Sequence, residues 1–145
     1  MKSTITILIA DDDPDDRETT KEALEANLVR NPVRFVEDGE ALLDYLHQRG
    51  EHASAQLPGL ILLDLNMPRL DGREALAAIK ADPRLRHIPI VVLTTSKAEQ
   101  DIFRSYDLGA SSVITKPVTF ESLVKVLGAF GRYWLEIVQL PAEAT

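Results

Sequence analysis

At 145 residues the chain suits one domain with a single core, and its 45% hydrophobic and 27% charged residues are ordinary for a globular protein. The net charge of −7 comes without any basic patch, which argues against direct nucleic-acid binding. Cysteine is absent, excluding disulfides, thiolate metal sites and a cysteine nucleophile, and no apolar run approaches the ~18–20 residues that span a bilayer.

Met1-Lys2-Ser3-Thr4 has neither the apolar length nor the cleavage pattern of a signal peptide, so the expected compartment is the cytoplasm. Ile5 to Ala10 is β-branched and apolar and reads as the first strand; it ends in Asp11-Asp12-Asp13-Pro14-Asp15-Asp16. Asp13 suits a helix cap, Pro14 a first helical residue, and Asp15 and Asp16 the positive end of the helix dipole. The helix should run from Pro14 to about Leu28, with Thr20, Ala23, Leu24 and Asn27 inward, until Asn31-Pro32 breaks it. Val33 to Val36 is a short second strand, and Asp38-Gly39 turns into a helix over Glu40 to Gln48. After a polar loop, Gly59 to Leu63 reads as a strand buried on both faces, stopping at Asp64. Pro68 and Asp71-Gly72 mark a turn, and Ala75, Leu76 and Ile79 line the inner face of the next helix. Ile88 to Leu93 is a fourth strand, ending in Thr94-Thr95-Ser96. The helix Ala98 to Leu108 follows, with Ile102, Tyr106 and Phe103 toward the core. Ser112 to Thr115 is the fifth strand, ending at Lys116-Pro117, and Thr119 caps a last helix.

Five β–α alternations predict a parallel sheet with helices on both faces, and right-handed crossovers bring every strand end to one edge. That edge then carries Asp11, Asp12, Asp64, Thr94 and Lys116. Carboxylates gathered closely either raise a pKa or hold a cation. With no His or Cys beside them, oxygen donors suit a hard ion such as Mg²⁺, which completes its shell with water and phosphate oxygens. Asp64 is suited to act as a carboxylate nucleophile toward a phosphoryl group. The plainer reading, turn and cap chemistry, is preferred for Asp13, Asp15 and Asp16 and for Asp71-Gly72.

The acidic pair, the Asp64-Leu65-Asn66-Met67-Pro68-x-x-Asp71-Gly72 stretch, Thr94 and Lys116-Pro117, in that order, resemble the receiver domain of two-component response regulators over residues of about 5 to 130. The resemblance implies a doubly wound, flavodoxin-like fold of five parallel strands, with an extended C-terminal helix or arm. It implies that Asp64 is the phosphoacceptor. Asp12, Asp64 and the Asn66 carbonyl would ligate Mg²⁺ (or Mn²⁺ or Ca²⁺), with Asp11 holding a metal-bound water. Thr94 and Lys116 would contact the phosphoryl group, and the Lys116–Pro117 peptide would be cis. Asn66 and Ser96 occupy the positions that tune dephosphorylation; neither supplies a general base, so self-dephosphorylation should be slow to moderate. One departure stands out: the family commonly carries Tyr or Phe three residues before the Lys, where this chain has Val113.

Leu123, Leu127, Phe130, Trp134 and Ile137 recur at steps of four and three, a seam pattern. A receiver over 1–131 with an extension over 132–145 is therefore expected, the extension forming a homodimer interface from Leu127, Phe130, Tyr133, Trp134, Ile137 and Leu140, with Ile137-Val138 suited to an extended arm. Extra core packing is the plainer alternative. This tail, the Leu93-to-Ala98 stretch and the Asp38-Gly39-Glu40 turn are similar to single-domain response regulators that serve phytochrome histidine kinases. A sensor kinase is thus the expected partner, with output by protein contacts or phosphate relay, and with no DNA-binding, membrane or turnover-enzyme function. The rival readings are a receiver-like binding module that is never phosphorylated, an aspartyl-phosphate hydrolase, which would want an acid where Asn66 stands, and a flavin protein, which would want Gly/Ser/Thr-rich phosphate loops.

Overall fold

The structure, a computed structural model, describes residues 5–95, 99–137 and 140–141. Ten regular elements alternate: β1 (Ile7–Ala10), α1 (Pro14–Ala26), β2 (Val33–Val36), α2 (Gly39–Leu46), β3 (Leu60–Leu63), α3 (Gly72–Ala81), β4 (Ile90–Thr94), α4 (Glu99–Asp107), β5 (Ser112–Thr115) and α5 (Phe120–Gly131). The strands form one parallel sheet in the order β2-β1-β3-β4-β5. This is the doubly wound, flavodoxin-like receiver arrangement.

Side chains alternate across a strand, so each apolar run serves two cores. Leu8, Ala10, Ile61, Leu63, Ile90 and Val92 face α2 and α3, meeting Leu42, Leu46, Leu76 and Ile79. Ile7, Ile9, Leu60, Leu62, Val91 and Leu93 face α1 and α5, meeting Ala23, Leu24, Leu123, Leu127 and Phe130. That is why β1, β3 and β4 contain no polar residue before their last position.

Helices begin where the sequence supplies an oxygen. The Asp13 carboxylate accepts from the N–H groups of Asp15 and Asp16, at 2.8 and 3.3 Å. Asp38 accepts from Ala41 at 2.7 Å, Asp71 from Arg73 at 2.7 Å, and the Thr119 hydroxyl from Ser122 at 3.1 Å. Each such cap satisfies a backbone donor that the helix leaves free. α1 stops at Ala26, short of the expected Leu28. The Asn27 amide donates to the carbonyls of Ala23 and of Val124 on α5, and Leu28 then turns left-handed at φ 58°.

Three further expectations need correction. Tyr106 does not point into the core: it is 48% exposed, and its hydroxyl accepts from the Val113 N–H at 3.1 Å. β5 is an edge strand whose outer N–H groups lack a strand partner, and a phenol can both shield and satisfy one of them. Phe103's side chain lies outside the described residues. The Lys116–Pro117 peptide is trans, not cis, and no cis peptide occurs among the described residues. Trans is the favoured X–Pro isomer by about 0.5–1 kcal/mol. In this isomer the Lys116 N–H still bonds the Thr94 carbonyl at 2.7 Å, and Thr119 still caps α5.

The third correction concerns the tail. α5 continues into a π-helical turn, Arg132–Ile137, so Ile137 has helical and not extended backbone; its side chain, and Val138, lie outside the described residues. Leu127, Phe130 and Leu140, expected at a dimer interface, are buried within one protomer. α5 lays Leu127 and Phe130 against α1 and the sheet, and the wider π turn carries Leu135 into the same core. Tyr133 remains 51% exposed and Trp134 half-buried, the two rings meeting edge to face at 5.2 Å.

Candidate functional site

Register builds the site. Ala10 pairs with Leu63, and the ladder runs one residue further: Asp64 N–H bonds the Ala10 carbonyl and Asp11 N–H the Val36 carbonyl, each at 3.0 Å. Asp11 and Asp64 therefore leave neighbouring strands side by side at the carboxyl edge of the sheet, where such folds place ligands. Asp12 follows on the exposed side. One carboxylate oxygen from each of Asp11, Asp12 and Asp64 lies within 4.8 Å of the others. On the far side β4 ends in Thr94, fully buried and paired in register with Thr115, which puts Lys116 next on the rim.

The buried Asp11 carboxylate has two partners, the Asp13 N–H at 3.0 Å and the Lys116 ammonium at 3.1 Å. Lys116 also donates to Asp16 at 2.9 Å. Burial by itself would lower the lysine's pKa; the Asp16 and Asp11 carboxylates, with Asp64 beyond them, outweigh it and raise the value, so the ammonium stays charged. Asp64, half-buried, is bonded by the Asn66 N–H at 3.2 Å. Its carboxyl is pushed up to about 6, chiefly by burial, with Asp11 and Asp12 adding to the rise and Lys116 and the Asn66 N–H opposing it. The loop that carries Asn66 is anchored by the Gly72 N–H on the Leu65 carbonyl at 3.0 Å, and a Cβ at Gly72 would crowd Asp64 O at 2.5 Å.

These features test the fit of a divalent cation. The donors are hard oxygens, they converge, and the nucleophile candidate pays for its charge where it stands; a divalent ion would remove that cost.

Asp11, Asp12, Asp64, Thr94 and Lys116 thus come together at one rim. Ser96 lies outside the described residues. Sequence reading missed Asp16, which is not only a dipole acid but half of an ion pair across the site, and Arg17, whose guanidinium donates to the Asp11 carbonyl at 2.7 Å. Their positions in the first turn of α1, directly after the acidic pair, were the available signal. It also missed Arg73 on α3, which joins Asp71 at 3.3 Å to Asp101 on α4 at 3.1 Å, linking the loop after Asp64 to the helix after Thr94.

Residues 7–128 match the response regulator receiver domain, and with this site on this fold the chain belongs to that family. Among its relatives, the response regulator Rcp1 of Synechocystis is 41% identical over 136 residues, 94% of this chain and 92% of Rcp1. The crystal structure of the phosphorylated cyanobacterial phytochrome response regulator RcpA is 44% identical, with a TM-score of 0.91 covering 96% of this chain and 99% of that one. The Mn²⁺-bound form of Rcp1 gives a TM-score of 0.88 at 40% identity, over 94% and 99% of the two chains. Receivers of this kind bind Mg²⁺ or Mn²⁺, and the acidic cluster here fits that use. No helix among the described residues is long and apolar enough to cross a membrane.

Proposed function

We propose that this receiver accepts a phosphoryl group on Asp64 from a phosphohistidine of a sensor kinase of the phytochrome class, and signals through protein contacts. The observation that carries the reading is the convergence of the Asp11, Asp12 and Asp64 carboxylates beside a Lys116 ammonium and a buried Thr94. An Asp64 carboxylate oxygen attacks phosphorus, the phosphorus–nitrogen bond breaks, and its electron pair leaves with the imidazole. A Mg²⁺ or Mn²⁺ ion, held by Asp12, Asp64 and the Asn66 carbonyl and through water by Asp11, would neutralise the phosphoryl oxygens. Lys116 supplies a second cation for those oxygens, and the Thr94 hydroxyl a donor. Asn66 stands where a turnover phosphatase would want an acid, so the aspartyl phosphate is a signal and not an intermediate in catalysis.

The kinase meets a rim flanked by exposed apolar side chains, Val118 and Phe120, which follow Lys116-Pro117. The phosphorylated state is read out on α4 and β5, which are tied to the site by the Thr94–Lys116 ladder and the Arg73–Asp101 ion pair. The extension beyond 131 serves a homodimer through Tyr133 and Trp134, two aromatic residues of its own that one protomer leaves exposed or half-covered.

Intact-mass measurement with acetyl phosphate tests the chemistry. A single adduct that requires Mg²⁺ and is absent from Asp64→Asn is the expected result. An equal adduct on the mutant, or none on folded wild type, would replace the phosphoacceptor reading with that of a binding module.

A further inference from the structure

Lys116 is held by more carboxylates than the proposed transfer employs. Its ammonium lies 2.9 Å from Asp16 Oδ2 and 3.1 Å from Asp11 Oδ2, and neither hydrogen bond goes to Asp64. The two acids are unlike. Asp11 is buried at the end of β1 and belongs to the cation cluster. Asp16 sits in the first turn of α1, its side chain 44% exposed, and is outside that cluster.

From this geometry we infer that Asp16 is a positioning residue for phosphoryl transfer: it holds the Lys116 ammonium away from Asp64 until a phosphoryl group is present to take it. The inference rests on Asp64 being the phosphoacceptor.

The backbone at Lys116 is pinned, since its N–H bonds the Thr94 carbonyl. The ammonium therefore changes partners by swinging its four-carbon stem, and its three donors permit one bond to be exchanged while another is kept. Of the two carboxylates, the half-exposed Asp16 is the one released. Ion pairs open to water are weak, whereas removing a partner from a buried charge such as Asp11 is costly. A phosphoryl oxygen on Asp64 takes the place of Asp16. In the resting protein the arrangement keeps the lysine charged and close without placing it on the attacking carboxylate.

Beryllofluoride, which stands in for a phosphoryl group on a carboxylate, provides the test. Its affinity is measured with Mg²⁺ present for wild type, Asp16→Asn, Lys116→Gln and the double variant. The expected result is that Asp16→Asn binds about two- to fivefold more tightly than wild type, the scale of a partly exposed ion pair. In the Lys116→Gln background the same substitution should change nothing. If Asp16 served only the helix terminus, its substitution would lower the Tm in both backgrounds and leave affinity unmoved. Unchanged or weaker binding by Asp16→Asn, or an equal gain without Lys116, would overturn the proposal. A wild-type protein that binds no beryllofluoride would overturn the phosphoacceptor reading instead, and this inference with it. Lysine ¹⁵Nζ NMR gives a second readout that does not depend on the Lys116→Gln variants. In wild type the Lys116 resonance should shift on adding beryllofluoride, and in Asp16→Asn it should already lie toward the shifted position; a resting resonance identical to wild type would count against the inference.

Discussion

Replacing Asp64 by Asn should make the metal-free protein more stable at neutral pH, although it removes the proposed function. The rise of the Asp64 carboxyl from 3.8 to about 6 means that the folded state disfavours its charge. Because the folded value lies above the unfolded one, the stability linked to this group is fully present below 3.8 and is lost as pH rises through 6. The full shift corresponds to about 3 kcal/mol, and screening at a half-buried group reduces it to about 1–2 kcal/mol. For a chain of this size that is about 3–6 °C in Tm. The assay is thermal unfolding of wild type and Asp64→Asn in EDTA between pH 4 and 8. The mutant should melt higher at pH 7.5, the gap closing as pH falls below 6. Mg²⁺ should raise the Tm of wild type more than that of the mutant and narrow the gap from the other side, since a carboxylate gains more from the ion than an amide does. A mutant that melts at or below wild type at pH 7.5 in EDTA would refute the claim that burial and like charge strain this carboxylate.

Gly39→Ala should lower stability by about 1–3 kcal/mol, read as a lower urea midpoint, because a Cβ there collides with the Leu70 carbonyl where the loop after β3 crosses the start of α2. Tyr106→Phe removes the acceptor for the Val113 N–H; hydrogen exchange at the Val113 amide should accelerate, with a stability loss of about 0.5–1.5 kcal/mol. Tyr133→Ala with Trp134→Ala should shift any dimer seen by light scattering to monomer without abolishing the Asp64 adduct, whereas loss of both would place these rings in the fold alone. The aspartyl phosphate should outlast a few seconds at neutral pH, since Asn66 offers no general base, and faster loss of radiolabel would contradict that.

How far the sequence could be read depends on the range of each interaction. Strands buried on both faces must be apolar throughout, so Leu8-Ile9-Ala10 and Leu60 to Leu63 announced themselves, and their strand-end acids with them. Caps are equally local: Asp13, Asp38, Asp71 and Thr119 each satisfy a donor two or three residues on. The acceptor, cation and switch candidates lie at strand ends, so alternation of strand and helix was enough to bring them to one rim.

Other features are set by partners remote in sequence. The Lys116–Asp16 pair spans 100 positions and the Asn27–Val124 bond 97, and no local pattern encodes either. Tyr106 shares a helical apolar spacing with core residues, yet it caps an edge strand because β5 is last in the sheet order. Leu127 and Phe130 fit a seam between two chains as well as a groove within one; a heptad pattern records that a face is apolar, and only packing against α1 and the sheet says what covers it. The sequence by itself determined the alternation of elements, the helix caps and the acids at the rim, because those follow from neighbours in the chain. Tertiary structure alone decided which partners Lys116, Asn27 and Tyr106 found, because that depends on strand order and on which surfaces the folded chain has already covered.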